Sequence, residues 1–355
     1  MRKAELTERE QAVRRGLDFL YSFACEPENF AECGSDLLYW FYFIGTRETN
    51  ADIRRAARRM GQERAKRWRL DHPRIPARPD AETIYDLIYG HDTIRRLGIR
   101  DNAIKSRLRR AALKFPVSDY LWFNPAIEPP PSNAPDQCEC GLWNKRGRKI
   151  CRSCGKRLAM LTPYSVWYSA LIRTFIATSY GVSLGASYKD ALKWLPAMRP
   201  YRASDELSEP ESYDVVYAIT HVVYTLNNYN AYRLQPEWLP QEFAFLKAYL
   251  KRAIAADDPE MVGEFLDSLK SFGLAEEHRL IRAGMRYLLS RQKADGSWGE
   301  VDTEDVYANY HTTLCAIGGL MSYAWRGERL SFPKLKPTLL KWAKEGKRKK
   351  VKGNR

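Results

Sequence analysis

The sequence has no hydrophobic run long enough to cross a bilayer, which needs about 20 apolar residues. Its most apolar stretch, Leu37–Ile44, is far shorter than that. The N-terminal residues are charged and helix-forming, and no apolar segment follows them as it would in a secretory signal peptide. We therefore expect a cytoplasmic protein without a transmembrane segment.

The chain also lacks the aromatic-rich basic motifs of known nucleic-acid-binding modules. Its formal net charge is nevertheless +15, with basic residues concentrated in 54–69, 95–110, 145–156 and 344–355. An excess of basic over acidic residues favours an anionic partner such as nucleic acid, an acidic peptide, a diphosphate or a lipid headgroup. Because charge runs are usually solvated faces, nucleic acid is a partner that the sequence allows but does not favour.

Six apolar helical segments recur along the chain, and three of them begin with aspartate, two apolar residues and tyrosine. The segments start near Asp36, Asp86, Ser165, Asp214, Met261 and His311. When the Pro- and Cys-rich segment 129–160 is set aside, successive starts are about 50 residues apart, a spacing found in helical repeats. Aspartate at such a position is favoured as a helix cap and by the helix dipole.

More polar helices are predicted between these apolar segments, over 51–68, 104–115, 188–195, 242–254 and 278–289. Alternation of apolar and polar helices predicts an inner ring that is buried and an outer ring with one exposed face. We therefore predict an all-α fold, an (α/α)6 toroid, with an open solenoid or an irregular bundle as the alternatives. The predicted domains are 1–128 and 161–343 for the toroid, an insert at 129–160, and a disordered basic tail at 344–355.

The insert carries two close cysteine pairs, Cys138 with Cys140 and Cys151 with Cys154, and a glycine follows each pair. Four thiolates with this layout are typical of a small zinc ribbon, although the first pair is C-x-C instead of the commoner C-x-x-C. A site closed by four cysteines has a structural role. We therefore predict a structural Zn²⁺ ion, with a disulfide pair as the alternative that a cytosolic setting disfavours.

Histidine is rare, with five in the chain, and three of them lie in the predicted inner helices together with nearby carboxylates. In a toroid, the starts of the inner helices gather at one mouth of the central cavity, where such groups would suit acid/base or metal chemistry. The candidate catalytic residues are Asp86, His91, Asp92, Asp214, His221, Asp305 and His311. His91, His221 and His311 are also candidate ligands of a second metal ion.

The segment 291–320 combines Gln292, Gly296 and Trp298 with a Tyr-His-Thr sequence around His311. The first three residues resemble the Q-x-x-x-G-x-W repeat of terpenoid cyclases. The Tyr-His-Thr sequence, with Cys315 and Gly318 after it, resembles protein prenyltransferase β-subunits. This resemblance implies an α/α toroid with its active site in the central cavity, and an apolar or isoprenoid-like small molecule or a peptide as substrate.

The resemblance to individual members of this superfamily is incomplete. In prenyltransferase β-subunits, His311 would match the zinc-binding histidine and Asp214 the aspartate, but Val216 stands where the cysteine ligand belongs. The Asp-x-Asp-Asp acid motif of class II cyclases would need aspartate at Glu304, and the zinc ligands of lanthionine cyclases are missing. The leading hypothesis is an enzyme of this fold, and the alternative is a basic, non-enzymatic scaffold that binds nucleic acid or a protein.

Overall fold

The computed structural model describes residues 6–201, 210–300 and 303–353, without the side chains of residues 210–211 and 347–353. These residues form fifteen α-helices and a short 3-10 helix at Pro333–Leu335, with isolated β-bridges as their only strand-like pairing. The helices are α1 (Glu8–Cys25), α2 (Pro27–Arg47), α3 (Ala51–Asp71), α4 (Ala81–Arg96), α5 (Asn102–Ala112), α6 (Val117–Leu121), α7 (Pro163–Tyr180), α8 (Tyr188–Leu192), α9 (Leu195–Met198), α10 (Pro210–Leu226), α11 (Pro240–Ala255), α12 (Pro259–Ser271), α13 (Arg279–Arg291), α14 (Val306–Leu320) and α15 (Lys336–Gly353).

The all-α prediction is confirmed, and each of the six predicted apolar segments lies in a helix: α2, α4, α7, α10, α12 or α14. Their closure into a ring stays a prediction. The chain divides into two compact units, the first formed by Met1–Asp71, Thr93–Arg100 and Leu226–Arg355 and the second by His72–Asp92 and Asp101–Thr225.

The expectation that Asp36, Asp86 and Asp214 cap helix starts is wrong, since all three lie inside helices, whereas Asp305, which was not predicted as a cap, is one. Asp305 is the N-cap of α14, where its carboxylate accepts hydrogen bonds from the backbone N–H groups of Tyr307 and Ala308. Asp36 and Asp86 lie inside α2 and α4, because those helices begin at Pro27 and Ala81. The helices start earlier than the apolar pattern does, so these two carboxylates project from the middle of a helix instead of capping one.

In the first unit, glycines allow α12 and α14 to pack unusually closely. A Cβ atom on Gly263 would lie 2.3 Å from the carbonyl oxygen of Cys315, and one on Gly319 would lie 2.9 Å from the Cα atom of Gly263. Both distances are shorter than a van der Waals contact, so the two backbones meet where neither residue has a side chain. This close approach brings the polar side chains of α12 next to those of α14.

The Gln-Gly-Trp motif joins three helices of the first unit. The Trp298 side chain is fully buried and donates a hydrogen bond from Nε1 to the Leu288 carbonyl of α13, 2.7 Å away. Its backbone N–H donates to Thr313 Oγ1 on α14, and Gln292 donates to the Ala12 carbonyl on α1. Gly296 has a φ of 94°, and a Cβ there would lie 2.5 Å from the Arg15 carbonyl oxygen. The motif therefore has a structural role here.

In the second unit, α7 is the central apolar helix. Trp167 is fully buried and donates from Nε1 to the Ala191 carbonyl on α8 at 2.9 Å. About two turns further along the helix, the buried Arg173 makes a bidentate ion pair with Glu82 on α4, with N–O distances of 2.7 and 2.6 Å. This pair compensates a charge that would otherwise be buried at a large free-energy cost.

The C-terminal segment differs from the sequence prediction. Helix α15 extends to Gly353, so residues 344–353, predicted as disordered, are helical, while 354–355 lie outside the described residues. No helix in the described part of the chain has the length and hydrophobicity that a membrane span requires.

Candidate functional sites

The four cysteines of the insert lie together in the second unit. The sulfur atoms of Cys138 and Cys154 are 3.4 Å apart, and those of Cys140 and Cys151 are 3.7 Å apart. A disulfide requires about 2.05 Å, whereas four sulfurs at about 2.3 Å around a tetrahedral ion are separated by about 3.8 Å. The observed spacing is therefore that of a four-thiolate metal site, and the disulfide alternative does not fit.

Two left-handed glycines shape the turns that hold these sulfurs. Gly141 and Gly155 have φ values of 81° and 74°, and their backbone N–H groups donate to the carbonyls of Cys138 and Cys151. Backbone N–H groups at Cys154 and Ser153 lower the pKa of the Cys151 thiol to about 6, which favours its thiolate form. A zinc ribbon normally contains β-strands. Among the described residues of the insert, the only β-pairing is two isolated bridges, Pro135 with Met160 and Ile150 with Arg157.

A second group of metal-ligand side chains lies in the first unit, between α12 and α14. Glu264, His311 and Cys315 each offer one ligand atom, and these three atoms lie within 4.8 Å of one another. All three residues are buried, with exposures of 4%, 7% and 4%. Glu260, one turn before Glu264, places a carboxylate oxygen 3.2 Å from Nδ1 of His311. Carboxylate, imidazole and thiol are all zinc ligands.

The electrostatics of this α12–α14 cluster are dominated by carboxylates. Burial opposes the charged form of His311, but Glu260, Glu264 and Asp36 together outweigh burial, so the pKa of His311 is raised. Burial, Glu264 and Glu260 together raise the pKa of the Cys315 thiol well above its ordinary value. The surroundings of the cluster therefore favour a positive charge and resist an additional negative one.

Of the predicted catalytic residues, His311 belongs to this cluster and Asp305 does not, because its carboxylate caps α14. Asp36 accepts a hydrogen bond from the Tyr310 hydroxyl at 3.0 Å, next to His311 in the chain. Asp36 therefore contributes to the negative potential at the cluster without being one of its three ligand groups.

The other predicted residues, His91, Asp92, Asp214, His221 and Asp86, lie in the second unit. His91 and Asp92 are buried on α4. Asp214 accepts a hydrogen bond from Thr162 Oγ1 at 2.7 Å, next to the start of α7. A single metal ion held jointly by His91, His221 and His311 stays a prediction.

His221 lies among tyrosines. Its ring stacks on Tyr168 with a centroid distance of 5.3 Å and makes edge contacts with Tyr217 and Tyr224. Nδ1 is 2.8 Å from the Tyr217 carbonyl oxygen, which can only accept, so Nδ1 carries a hydrogen. Asp86 is exposed on α4.

Glu260 and Glu264 were not identified from the sequence, and Cys315 was not named as a candidate ligand. A signal for them was present: Glu260, Glu264 and Asp267 recur at positions i, i+4 and i+7, which share one face of a helix. His311 and Cys315 are likewise four residues apart on α14. Acidic residues at helical spacing on an otherwise apolar helix indicate a buried polar site.

Comparison of the chain with models of known protein families, with curated proteins and with solved structures finds no match.

Proposed function

We propose that the protein is an enzyme whose active centre is the buried α12–α14 cluster, where Glu264, His311 and Cys315 hold a divalent metal ion. The observation that carries this proposal is the meeting of three different ligand types within 4.8 Å of one another. Catalytic zinc sites typically have three protein ligands and keep the fourth position for water or substrate. A site closed by four cysteines has no such position.

Charge also favours a cation at this place. Glu264 and Asp267 are buried on one face of α12, and Glu260 is largely enclosed beside them. Buried carboxylates are stable when they are paired, hydrogen-bonded or bound to a metal. A divalent cation would offset their charge and would deprotonate the Cys315 thiol, whose pKa is raised by the same carboxylates.

The choice of metal follows from the ligands. A set of one imidazole, one thiolate and one carboxylate suits zinc better than magnesium or calcium, which prefer oxygen ligands alone. Glu260 contacts Nδ1 of His311 at 3.2 Å, an arrangement in which a carboxylate on one ring nitrogen orients the other toward the metal. When bound, zinc would supply Lewis-acid activation of a substrate or of water.

The resemblance of segment 291–320 to terpenoid cyclases and prenyltransferase β-subunits supports an apolar small molecule or a peptide as the substrate. It also supports an α/α toroid as the architecture. In this proposal the four cysteines of the insert hold a second, structural zinc ion, because that site is closed.

Metal analysis of the purified full-length chain tests this function. We expect two zinc ions per chain, and one per chain in Cys315→Ala. A Cys25→Ala variant, which changes an exposed cysteine outside both clusters, should retain two. One zinc per chain in the unaltered protein, lost only when an insert cysteine is replaced, would rule out the metal centre at α12–α14.

A non-enzymatic scaffold is the second candidate, and the surface of the insert favours it. Lys145, Arg148, Lys149 and Arg152 are exposed around the cysteine cluster. Such a basic surface can contact phosphates of a nucleic acid, whose binding weakens steeply with salt. Retention of the protein on nucleic acid at physiological ionic strength, lost on replacing these four residues by glutamine, would support the scaffold over the enzyme.

A further inference from the structure

In the first unit, two arginines lie against the side chain of Tyr42, and the charge of a third acts on it. The guanidinium carbon of Arg96 is 5.3 Å from the centre of the Tyr42 ring, and that of Arg47 is 6.0 Å from it. Arg96 also donates from Nη1 to the Tyr42 hydroxyl at 3.4 Å. The third arginine, Arg326, lies in the segment after α14 and is exposed.

Arg47 is buried, with an exposure of 2%, and in the described part of the chain it makes no ion pair with a carboxylate. Its guanidinium donates from Nε to the Tyr229 carbonyl at 2.9 Å and from Nη2 to the Asn228 carbonyl at 3.2 Å. These contacts solvate the guanidinium but leave its charge. A buried charge without an opposite charge is destabilising by several kcal/mol, so its retention here indicates a use.

The two carbonyls belong to a turn that is itself strained. Asn228, Tyr229 and Asn230 all have left-handed φ values, of 56°, 46° and 55°. Asparagine adopts this conformation readily, whereas for Tyr229 it costs about 1–2 kcal/mol. The turn is fixed by Asn227, whose side chain bonds Asn230, and by Asn230, whose amide donates to Asp267 on α12. Strain of this kind is concentrated at binding and catalytic sites, where it preorganises groups.

The charges of the arginines act on Tyr42. Burial alone would raise the pKa of the Tyr42 hydroxyl, but Arg96, Arg47 and Arg326 together lower it below its ordinary value. The pKa of Arg47 is also lowered, first by burial and then by the positive charges of Arg326 and Arg96. A positive potential therefore converges on the Tyr42 hydroxyl.

We propose that Tyr42, Arg47, Arg96 and Arg326 form a binding site for a phosphate-bearing small molecule. Guanidinium groups match the geometry of phosphate oxygens and bind them through paired, charge-assisted hydrogen bonds. Three positive charges suit a phosphate or diphosphate group, which carries two or more negative charges near neutral pH, better than a carboxylate with one. This site does not depend on a metal at the α12–α14 cluster.

Isothermal titration calorimetry of the full-length protein with inorganic diphosphate, inorganic phosphate and acetate tests the site. We expect saturable binding of diphosphate or phosphate, tighter than that of acetate, and weakened about tenfold or more in Arg96→Gln and in Arg326→Gln. Arg59→Gln removes the same charge from an exposed position on α3 and should bind as the unaltered protein does. Arg47 is left unchanged because it also holds the turn.

Absence of saturable binding, equal binding of acetate, or an equal loss in Arg59→Gln would overturn the proposal. Because diphosphate also chelates metal ions, the titration is repeated with Cys315→Ala. Unchanged binding in that variant separates this site from the proposed metal centre, whereas complete loss would assign the diphosphate to the metal and contradict the arginine site.

Ultraviolet titration of tyrosine ionisation gives an independent measurement. A bound anion should raise the pKa of Tyr42, because it repels the phenolate. Subtracting the titration curve of Tyr42→Phe from that of the unaltered protein gives the ionisation curve of Tyr42. The midpoint of this curve should move to higher pH in the presence of diphosphate. A difference that does not move would contradict binding at Tyr42.

Discussion

The two groups of candidate metal ligands differ in how they are built. In the insert, four cysteines lie within 17 residues of chain, and two left-handed glycines fold the backbone around their sulfurs. The group between α12 and α14 takes Glu264 from one helix and His311 and Cys315 from another about 50 residues later in the chain. Local turns thus form the first group, and the packing of two helices forms the second.

This difference determines what each group does to the rest of the molecule. The cysteine group has a very small apolar core of its own, formed by Cys138, Cys151 and Leu158 with Leu142 against it. A segment with so little apolar surface cannot offset its conformational entropy by burial alone. The α12–α14 cluster instead lies within helices that are buried over most of their length. We therefore expect metal to be needed for folding in the first group, whereas the helices of the second group should fold without it.

The largest expected effect is the loss of structure in the insert when one of its four clustered cysteines is replaced. Structural zinc contributes about 10–16 kcal/mol to the folding of comparable small domains. In Cys151→Ser we expect fast amide hydrogen exchange throughout 134–161, measured by mass spectrometry, while α12 and α14 keep their protection. The exposed Cys25→Ser variant is the matched control. Equal protection of the insert in both variants would show that it folds without metal.

The two groups also differ in how far the sequence predicts them, because one is formed by local turns and the other by the packing of two helices. The spacing of Cys138, Cys140, Cys151 and Cys154 predicts a shared site because short loops can only bring neighbours together. The α12–α14 cluster depends on the rotation of two helices about their axes and on how closely they approach. The helical pattern locates the helices but does not say which of their faces meet, so Glu264 and Cys315 were not identified.

Helix positions were easier to predict than the roles of residues at their ends. The apolar segments and the intervening polar helices were located correctly, because hydrophobic periodicity extends over a whole helix. Asp36 and Asp86 were misplaced at helix starts because α2 and α4 begin with polar residues that the apolar pattern does not reach. The end of α15 was missed because its last turns are basic and have no apolar face.

The second prediction concerns the close packing that forms the α12–α14 cluster. In Gly263→Ala, the new Cβ would lie 2.3 Å from the Cys315 carbonyl oxygen, so the helices must separate. We expect a loss of about 1–3 kcal/mol in the free energy of unfolding, measured by denaturant titration, together with loss of one zinc ion per chain. The insert should keep its own zinc.

Gly318→Ala is the matched control for this prediction. It adds the same methyl group to the same helix pair, but the nearest atom to its Cβ is a side-chain oxygen of Asp267 at 3.3 Å. We expect Gly318→Ala to lose much less free energy of unfolding than Gly263→Ala. Alanine is also favoured over glycine inside a helix by about 0.5–1 kcal/mol, which offsets part of any loss. Similar losses of stability and zinc in both variants would show that the approach at Gly263 is not what positions the ligands.

The smallest effect separates a ligand of the α12–α14 cluster from a residue that orients one. Glu264→Gln removes a carboxylate from the three ligand groups, whereas Glu260→Gln changes the partner of His311 Nδ1, at 3.2 Å, and the acceptor of the Thr312 hydroxyl, at 3.0 Å. Loss of such an orienting partner typically weakens metal binding about 10- to 100-fold, and loss of a ligand weakens it further. In competition with a zinc chelator, the metal of this cluster should therefore leave Glu264→Gln first, then Glu260→Gln, then the unaltered protein.

Since Gln keeps the size of each side chain and both variants leave the insert unchanged, the insert zinc serves as the internal standard. The reverse order would make Glu260 the ligand and Glu264 its neighbour, and identical release from all three proteins would remove both glutamates from the site.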